Sequence, residues 1–322
     1  MTPTVWLVIP CYEEEEALPV TRPVIEKKWE TLMTQGHIAK DSRILLVNDG
    51  SKDRTWECIQ RFHRENPLFL GINLSRNRGH QNALLAGLMT ARAHCDCAIS
   101  MDADLQDDIH AIDAMLECYA AGADVVYGVR KKRETDSFFK KWSAQGFYSL
   151  IRHMGAEVVY NHADYRLMSR RALDGLAEFT EVNLFLRGLV PLVGFPSDVV
   201  YYDRSERVAG ESKYPLRKMI SFAFEGITSL STKPIQWITR LGIVVFLVSL
   251  IMLIYSVVQY FRGHTVAGWA SLITSIWAIG GLILLSIGVI GTYIAKTYLE
   301  AKHRPRYLIQ EALLDEKDQT EE

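Results

Sequence analysis

Residues 100–108 read SMDADLQDD and place Asp102, Asp104, Asp107 and Asp108 directly after the apolar run CAIS. Carboxylates that dense either hold a cation or begin a helix. The calcium-loop pattern fails. An EF-hand wants Asp-x-Asp-x-Asp-Gly with a glutamate at the twelfth position, whereas Gln106, Asp107 and Asp113 occupy positions five, six and twelve here. Asp107 and Asp108 suit a helix N-terminus, where the dipole favours negative charge. Asp102 and Asp104 differ, because alternate residues of an extended strand end project along nearly the same direction. Two hard oxygen ligands so placed suit Mg²⁺ or Mn²⁺, which take carboxylates together with substrate phosphates. A cation held there would neutralise a diphosphate leaving group as the bond to it breaks.

Such a pair needs a scaffold. β-rich runs at 5–9, 43–49, 68–74, 97–102 and 124–128 alternate with helical patterns near 15–35, 53–65, 79–94 and 109–121. That alternation predicts an α/β fold with a mostly parallel sheet and helices on both faces, in which ligands bind beyond the carboxyl ends of the strands. PCYEEEE follows the first run, NDGSKDRT the second, SRNRGHQNA the third and DADLQDD the fourth. Taken together, four polar turns on one sheet edge point to a nucleotide site. The sequence contains neither Gly-x-Gly-x-x-Gly nor a Walker loop, so a dinucleotide dehydrogenase and a P-loop ATPase are unsupported. Residues 138–202 mix helix and strand and should complete the globular part.

The chain has 322 residues, 48% hydrophobic and 23% charged, with a net charge of −2. It carries no basic excess to meet nucleic-acid phosphates. Its apolar residues are concentrated late, in an uncharged stretch from 241 to 261 and a second from 265 to 295, joined by a short link at RGHT. Each can cross a hydrocarbon core of about 30 Å, which predicts a membrane hairpin with spans at about 239–261 and 267–295. Trp237, Tyr255, Tyr260, Trp269 and Tyr293 lie towards the span ends, as interfacial aromatics do. Lys213, Arg217, Lys218, Lys233 and Arg240 precede the hairpin, and Lys296, Lys302, Arg304 and Arg306 follow it. The positive-inside rule then puts both termini in the cytoplasm. Residues 1–9 lack the basic start of a signal peptide. Between 210 and 235, apolar residues alternate with Arg217, Lys218 and Glu225 as in a helix lying in the bilayer interface. The acidic tail after Tyr307 is expected to fray. Cys11, Cys58, Cys95, Cys97 and Cys118 show no Cys-x-x-Cys spacing and read as buried thiols in a reducing compartment.

VIPCYEEEEAL, LLVNDGSKDRT, SRNRGHQNALLAGL, MDADLQDD, ADYRLMSR and ERVAGESKYPL, followed by the hairpin and KHRPRY, resemble the polyprenyl-phosphate glycosyltransferases. These are membrane members of the family 2 inverting glycosyltransferases, related to dolichyl-phosphate mannose synthases and bactoprenol glucosyltransferases. The resemblance covers the chain to about residue 309 and implies a GT-A type, Rossmann-like nucleotide-sugar-binding domain at 1–209. An amphipathic juxtamembrane segment at 210–235, two transmembrane helices within 236–299 and a cytoplasmic tail at 300–322 complete the expected plan. By the same resemblance Pro10, Tyr12, Glu14 and Asp49 hold the nucleoside, and Asp102 and Asp104 bind the metal with Gln106 as third ligand. Asp164 faces the reaction centre, while Arg130, Arg207 and Lys213, with Ser212, lie near the acceptor phosphate and diphosphate. The sequence departs from the family pattern at Glu13 (usually Asn), Cys11, Ala163 (usually Gly) and Asp108 (usually Pro), and none of these changes removes a charged group the chemistry needs.

The implied reaction moves a sugar, UDP-glucose being the favoured donor, onto polyprenyl (undecaprenyl) phosphate at the inner face of the cell membrane. It inverts the anomeric centre, releases nucleoside diphosphate and supplies a lipid-linked sugar for cell-envelope glycans. UDP-N-acetylglucosamine, UDP-galactose and GDP-mannose are alternative donors. The acceptor phosphate, with a second pKa near 6, attacks without a strong general base, so Asp164 is either a catalytic group or a positioning group. A buried Asp164 bonded to Arg166 or Arg170 is the structural alternative. A processive polysaccharide synthase usually carries more spans and a Gln-x-x-Arg-Trp motif, both lacking here. A non-catalytic nucleotide-binding scaffold would have no use for so many retained charges. Family resemblance suggests a homo-oligomer, a tetramer, and Gly288, Gly291, Thr292 and Ala295 would allow close helix packing.

Overall fold

The computed structural model describes residues 2–130, 162–182, 184–203, 233–262 and 268–315. Arg207, Ser212, Lys213 and residues 210–232 of the interfacial segment expected at 210–235 lie outside the described residues, and residues 233–235 begin a long helix. The described part divides into two compact units, a sheet domain that also includes residues 304–315 and a pair of long helices.

The sheet domain begins with β1 (Val5–Cys11), α1 (Leu18–Thr34), β2 (Arg43–Asn48), α2 (Thr55–Glu65), β3 (Phe69–Leu74), α3 (His80–Arg92), β4 (Cys97–Ser100), α4 (Ala111–Ala120) and β5 (Val125–Arg130). β6 (His162–Ser169), α5 (Arg170–Ala177), α6 (Leu186–Leu192) and β7 (Ser197–Tyr202) follow. The helical pair is α7 (Lys233–Phe261) and α8 (Trp269–Ala301), and β8 (Ile309–Leu313) returns to the sheet. Strand order is β7-β5-β6-β4-β1-β2-β3-β8.

Residue alternation along β1 shows why the sheet is covered on both faces. Val5, Leu7 and Ile9 pack into one core with Leu18, Ile25 and Trp29 of α1, Ile59 and Phe62 of α2, and Ile112 and Met115 of α4. Trp6 and Val8 point the other way, into a core with α3, Leu173 and Leu176 of α5, and Leu186 and Leu189 of α6. Cys11, Cys95 and Cys97 are buried thiols, whereas Cys58 and Cys118 are only partly covered.

Among the described residues six of the eight strands run in one direction, the mostly parallel sheet expected, and β6 and β8 oppose them; β8 also corrects the expectation of a frayed tail. β6 runs antiparallel between β4 and β5, separating two strands that follow one another in sequence. β8 pairs antiparallel with the outer edge of β3, so the tail is part of the sheet through residue 313. Trp56 Nε1 and Gln60 Nε2 donate to the Glu311 carboxylate at 3.0 and 3.2 Å, and Arg43 Nε donates to Asp315 at 2.9 Å. The edge N–H and C=O groups of β3, which would otherwise stand open, find their partners there.

The second unit has 29 residues in α7 and 33 in α8, about 43 and 50 Å of helix at about 1.5 Å per residue. Both contain segments long and apolar enough to cross a membrane, Lys233–Met252 and Ala278–Ala301, with no share of them buried within the protein. The first helix starts before the span expected at 239–261 and the second ends beyond the one expected at 267–295, because helical hydrogen bonding continues past the apolar stretch into charged residues.

At Gly87 α3 lies close against the sheet: a Cβ there would sit 2.3 Å from the Val8 side chain and 2.7 Å from that of Val47. Gly87→Val should therefore cost about 1–3 kcal/mol through overpacking and move the start of α3. Thermal unfolding of the purified protein, read as a lowered midpoint, measures the loss.

Candidate active site

The carboxyl ends of β1, β2, β3 and β4 carry loops that bind mainly to one another. After β1, Tyr12 is exposed, and the backbone then descends over the β2 loop. The N–H groups of Glu13, Glu14 and Glu15 donate to Ser51 Oγ, Thr55 Oγ1 and Asp53 Oδ2 at 3.0, 2.9 and 3.2 Å. Pro10 lies within β1, opposite Val47. Asp49 is buried after β2 and receives the N–H groups of Arg78 and Gly79 at 2.7 and 2.9 Å. Burial pushes its carboxyl up, and those two N–H groups pull it back in part. Gly50 follows at φ +61°, and a Cβ there would stand 2.4 Å from the Arg76 carbonyl carbon. No other residue permits that approach.

The acidic turn differs from the extended strand end expected for it. β4 stops at Ser100, and Leu105 has φ 51°. The turn forms because Asp104 Oδ1 accepts the Gln106 N–H at 3.2 Å, and Thr21 Oγ1 of α1 holds the Ala103 carbonyl at 2.8 Å. Alternation nevertheless survives. Met101 and Ala103 are buried while Asp102 and Asp104 are partly exposed. Gln106 is buried beside them.

Asp107 does not cap a helix as expected. It is buried, 3.1 Å from Arg130 Nη2, and accepts the Tyr202 hydroxyl at 2.5 Å. Arg130 Nε also donates to that hydroxyl oxygen at 3.2 Å. A carboxylate enclosed by strands β5 and β7 requires such partners, and they come from residues distant in sequence. Asp108 does serve the turn before α4, accepting the His110 N–H at 2.9 Å.

Asp164, on β6, is buried between two guanidinium groups. Arg166 Nη2 lies 2.5 Å from Oδ1, and Arg187 of α6 approaches through Nη2 at 3.1 Å and Nε at 3.3 Å. Arg170 instead bonds the Cys95 carbonyl. His80, the first residue of α3, places Nε2 3.5 Å from Asp164 Oδ2 and 3.6 Å from Asp102 Oδ1. Burial works against the charge on Asp164, but His80, Arg166 and Arg187 outweigh it and hold the carboxyl well below the usual range. The environment of Asp102 acts the opposite way. Burial pushes it up to about 6; His80 opposes the rise, while Asp107, Asp164 and Asp104 add repulsion. His80 is raised: burial disfavours its cation, and Asp164 and Asp102 more than offset that.

His80, Arg187 and the pairing role of Asp107 escape sequence reasoning. His80 follows a glycine at a helix start, the one local signal available. Arg187 is set by Gln81 Oε1, which accepts the Leu186 N–H at 2.9 Å and fastens α6 to α3. Among the described residues, no set of three His, Cys, Asp or Glu groups is placed to hold a metal ion.

The sheet is α/β, with four acidic residues, Asp49, Asp102, Asp104 and Asp164, at the edge where its parallel strands end and loops that bind one another across it. The chain belongs to glycosyl transferase family 2, which it matches over residues 6–176. It is 50% identical to the uncharacterized glycosyltransferase YkoT of Bacillus subtilis (strain 168), over 98% of this chain and 93% of that protein. It is 39% identical to the bactoprenol glucosyl transferase of Shigella phage SfV, over 94% of this chain and 97% of that protein. Among solved structures, glucosyl-3-phosphoglycerate synthase from Mycobacterium tuberculosis, in complex with Mn²⁺, UDP and phosphoglyceric acid, aligns with TM-score 0.45 and 16% identity. That alignment covers 71% of this chain and 77% of that one.

Glu13 takes φ 55°, a left-handed conformation that costs most side chains roughly 1–2 kcal/mol and that Asn tolerates. Glu13→Asn, the residue usual at this place in the resembled family, should raise stability by about 0.5–1 kcal/mol, read as a higher unfolding midpoint.

Proposed function

We propose that the protein transfers a hexosyl group, with inversion, from a nucleotide sugar to polyprenyl phosphate in the membrane, with UDP-glucose the preferred donor. The observation that carries the reading is His80 standing between Asp102 and Asp164, 3.6 and 3.5 Å from their oxygens. It joins the carboxylate assigned to the donor diphosphate and the carboxylate assigned to the reaction centre in one contact.

Asp164 is held ionised by His80, Arg166 and Arg187. A carboxylate of depressed pKa is a weak general base and ill suited to activating a sugar hydroxyl. A phosphate monoester, already ionised near neutral pH, needs no proton removed. Asp164 then positions acceptor and sugar, and Arg187, one-third exposed, offers a cation to the attacking phosphate. The relatives named as bactoprenol glucosyl transferases across nearly their whole length support the same acceptor class, and the two long apolar helices suit a lipid substrate. Arg130, Arg207, Ser212 and Lys213 complete the proposed phosphate-binding set, and Pro10, Tyr12, Glu14 and Asp49 the nucleoside side.

The residues fit a divalent cation. Asp102 and Asp104 are hard oxygen donors on the partly exposed side of the turn, opposite buried Met101 and Ala103, with the Gln106 amide adjacent. These three residues would hold Mg²⁺ or Mn²⁺ together with diphosphate oxygens. The bound cation supplies charge neutralisation for the leaving diphosphate. By the positive-inside argument the sheet domain and both termini face the cytoplasm, and assembly as a tetramer follows from family resemblance.

Purified full-length protein would be incubated with polyprenyl phosphate and each of UDP-glucose, UDP-N-acetylglucosamine, UDP-galactose and GDP-mannose. Thin-layer separation of the lipid product should show UDP-glucose fastest, with nucleoside diphosphate released only when polyprenyl phosphate is present. Acceptor-independent release into a growing polymer would instead indicate a processive synthase, and no release a binding scaffold. Asp104→Ala and chelation of divalent ions should each lower turnover by about 10²-fold or more with the fold intact. Full activity of that variant in chelator would remove the metal from the mechanism.

A further inference from the structure

Arg78 lies in the loop between β3 and α3 and faces two ways. Its backbone N–H, with that of Gly79, binds both oxygens of Asp49. Its guanidinium turns towards the chain that follows α8. Nε donates to the Arg306 carbonyl at 2.6 Å and Nη2 to the Pro305 carbonyl at 2.5 Å. The same stretch is fastened at further points. Arg306 Nη1 donates to the Phe179 carbonyl at 2.8 Å, and the Ser75 N–H donates to the Leu308 carbonyl at 2.9 Å. Tyr307 packs against the α3 side of the core. Residues 305–308 thus form a wall behind the loop that presents Asp49's partners and, two positions on from Arg78, His80.

A planar guanidinium fork fixes the direction of two carbonyls at once. β8 itself does not depend on it: pairing with β3 and the bonds from Trp56, Gln60 and Arg43 hold residues 309–315 in place. The fork's position bears on the loop more than on the strand.

We propose that Arg78 is a positioning residue for the donor site: it locks the loop carrying Asp49's N–H partners and His80 to residues 305–306, so that donor binding requires the segment following α8. The inference rests on the nucleotide-sugar reading above and adds that the C-terminal segment is a working part of the donor site. One physical consequence is that a shift of residues 305–306 moves the Arg78 and Gly79 N–H groups and alters how Asp49 is presented.

The test uses the full-length protein with Arg78→Ala, Arg78→Lys and Glu311→Ala, the last loosening β8 away from the loop. Binding of UDP and of GDP is measured by titration, donor and acceptor KM by initial rates, stability by thermal unfolding, and amide exchange by mass spectrometry. Arg78→Ala should weaken nucleotide binding and raise donor KM about tenfold, with a smaller loss of kcat through the displaced His80, leaving acceptor KM within about threefold. Arg78→Lys, retaining one bond, should fall between it and the wild type and serves as the probe should the alanine variant not fold. Glu311→Ala should lower the unfolding midpoint but leave nucleotide binding within about twofold. Residues 77–80 should exchange faster in Arg78→Ala without ligand. Wild-type nucleotide binding in both Arg78 variants overturns the positioning role and leaves the nucleotide-sugar reading standing. Loss of binding in proportion to lost stability across all three variants also overturns it, as a purely structural effect. A wild-type protein that binds neither UDP nor GDP overturns both.

Discussion

The carboxylate of Asp164, buried between the guanidinium groups of Arg166 and Arg187, constrains the packing around it. Taking such charges from water costs several kcal/mol per ion, recovered only when geometry is close and complete. Arg166 is almost entirely buried, so its partner cannot be withdrawn without leaving an uncompensated charge in the core. β6 must therefore stay beside β4, where the Ser100 hydroxyl donates to the Asp164 carbonyl at 2.5 Å. α6 must also approach closely enough for Arg187 to complete the pair. The result is a carboxylate that stays ionised at the point where β4, α3 and α6 converge.

Around that centre the polar side chains of the strand-end loops are spent on neighbouring loops. α3 and α4 begin without a side-chain cap. Asp49, which follows β2, serves the N–H groups at the start of α3, and Asp107, which precedes α4, serves Arg130 and Tyr202. Such crossing bonds keep the loops in register with one another, as a site spanning several strand ends requires. They also extend to the chain after α8 through Arg78 and Arg306. The sheet domain is consequently closed by residues that lie beyond two long apolar helices in sequence.

The strands and helices of the first 130 residues were legible because each is a local pattern. The expected runs at 5–9, 43–49, 68–74, 97–102 and 124–128 match β1 to β5 to within two residues at either end. Period-two alternation and helical periodicity act over a few residues and survive any tertiary arrangement. The same holds for the apolar stretches of α7 and α8 and for the placement of Asp102 and Asp104 opposite buried Met101 and Ala103. Asp107 was misread for a related reason: a carboxylate before a helix looks the same from sequence whether it caps that helix or meets a distant arginine.

Sequence alone determined the alternating elements, the acidic turn after β4, the two long apolar helices and, through its ordered motifs, membership of a glycosyltransferase family. Only the tertiary structure decided that β6 enters antiparallel between β4 and β5, and that residues 309–313 close the edge of β3. It alone also brought His80, Asp102, Asp164 and Arg187 together. Those outcomes depend on which distant groups satisfy a buried charge or an open strand edge, and the energy of each such pairing is set by burial and distance in three dimensions, quantities absent from the order of residues along the chain.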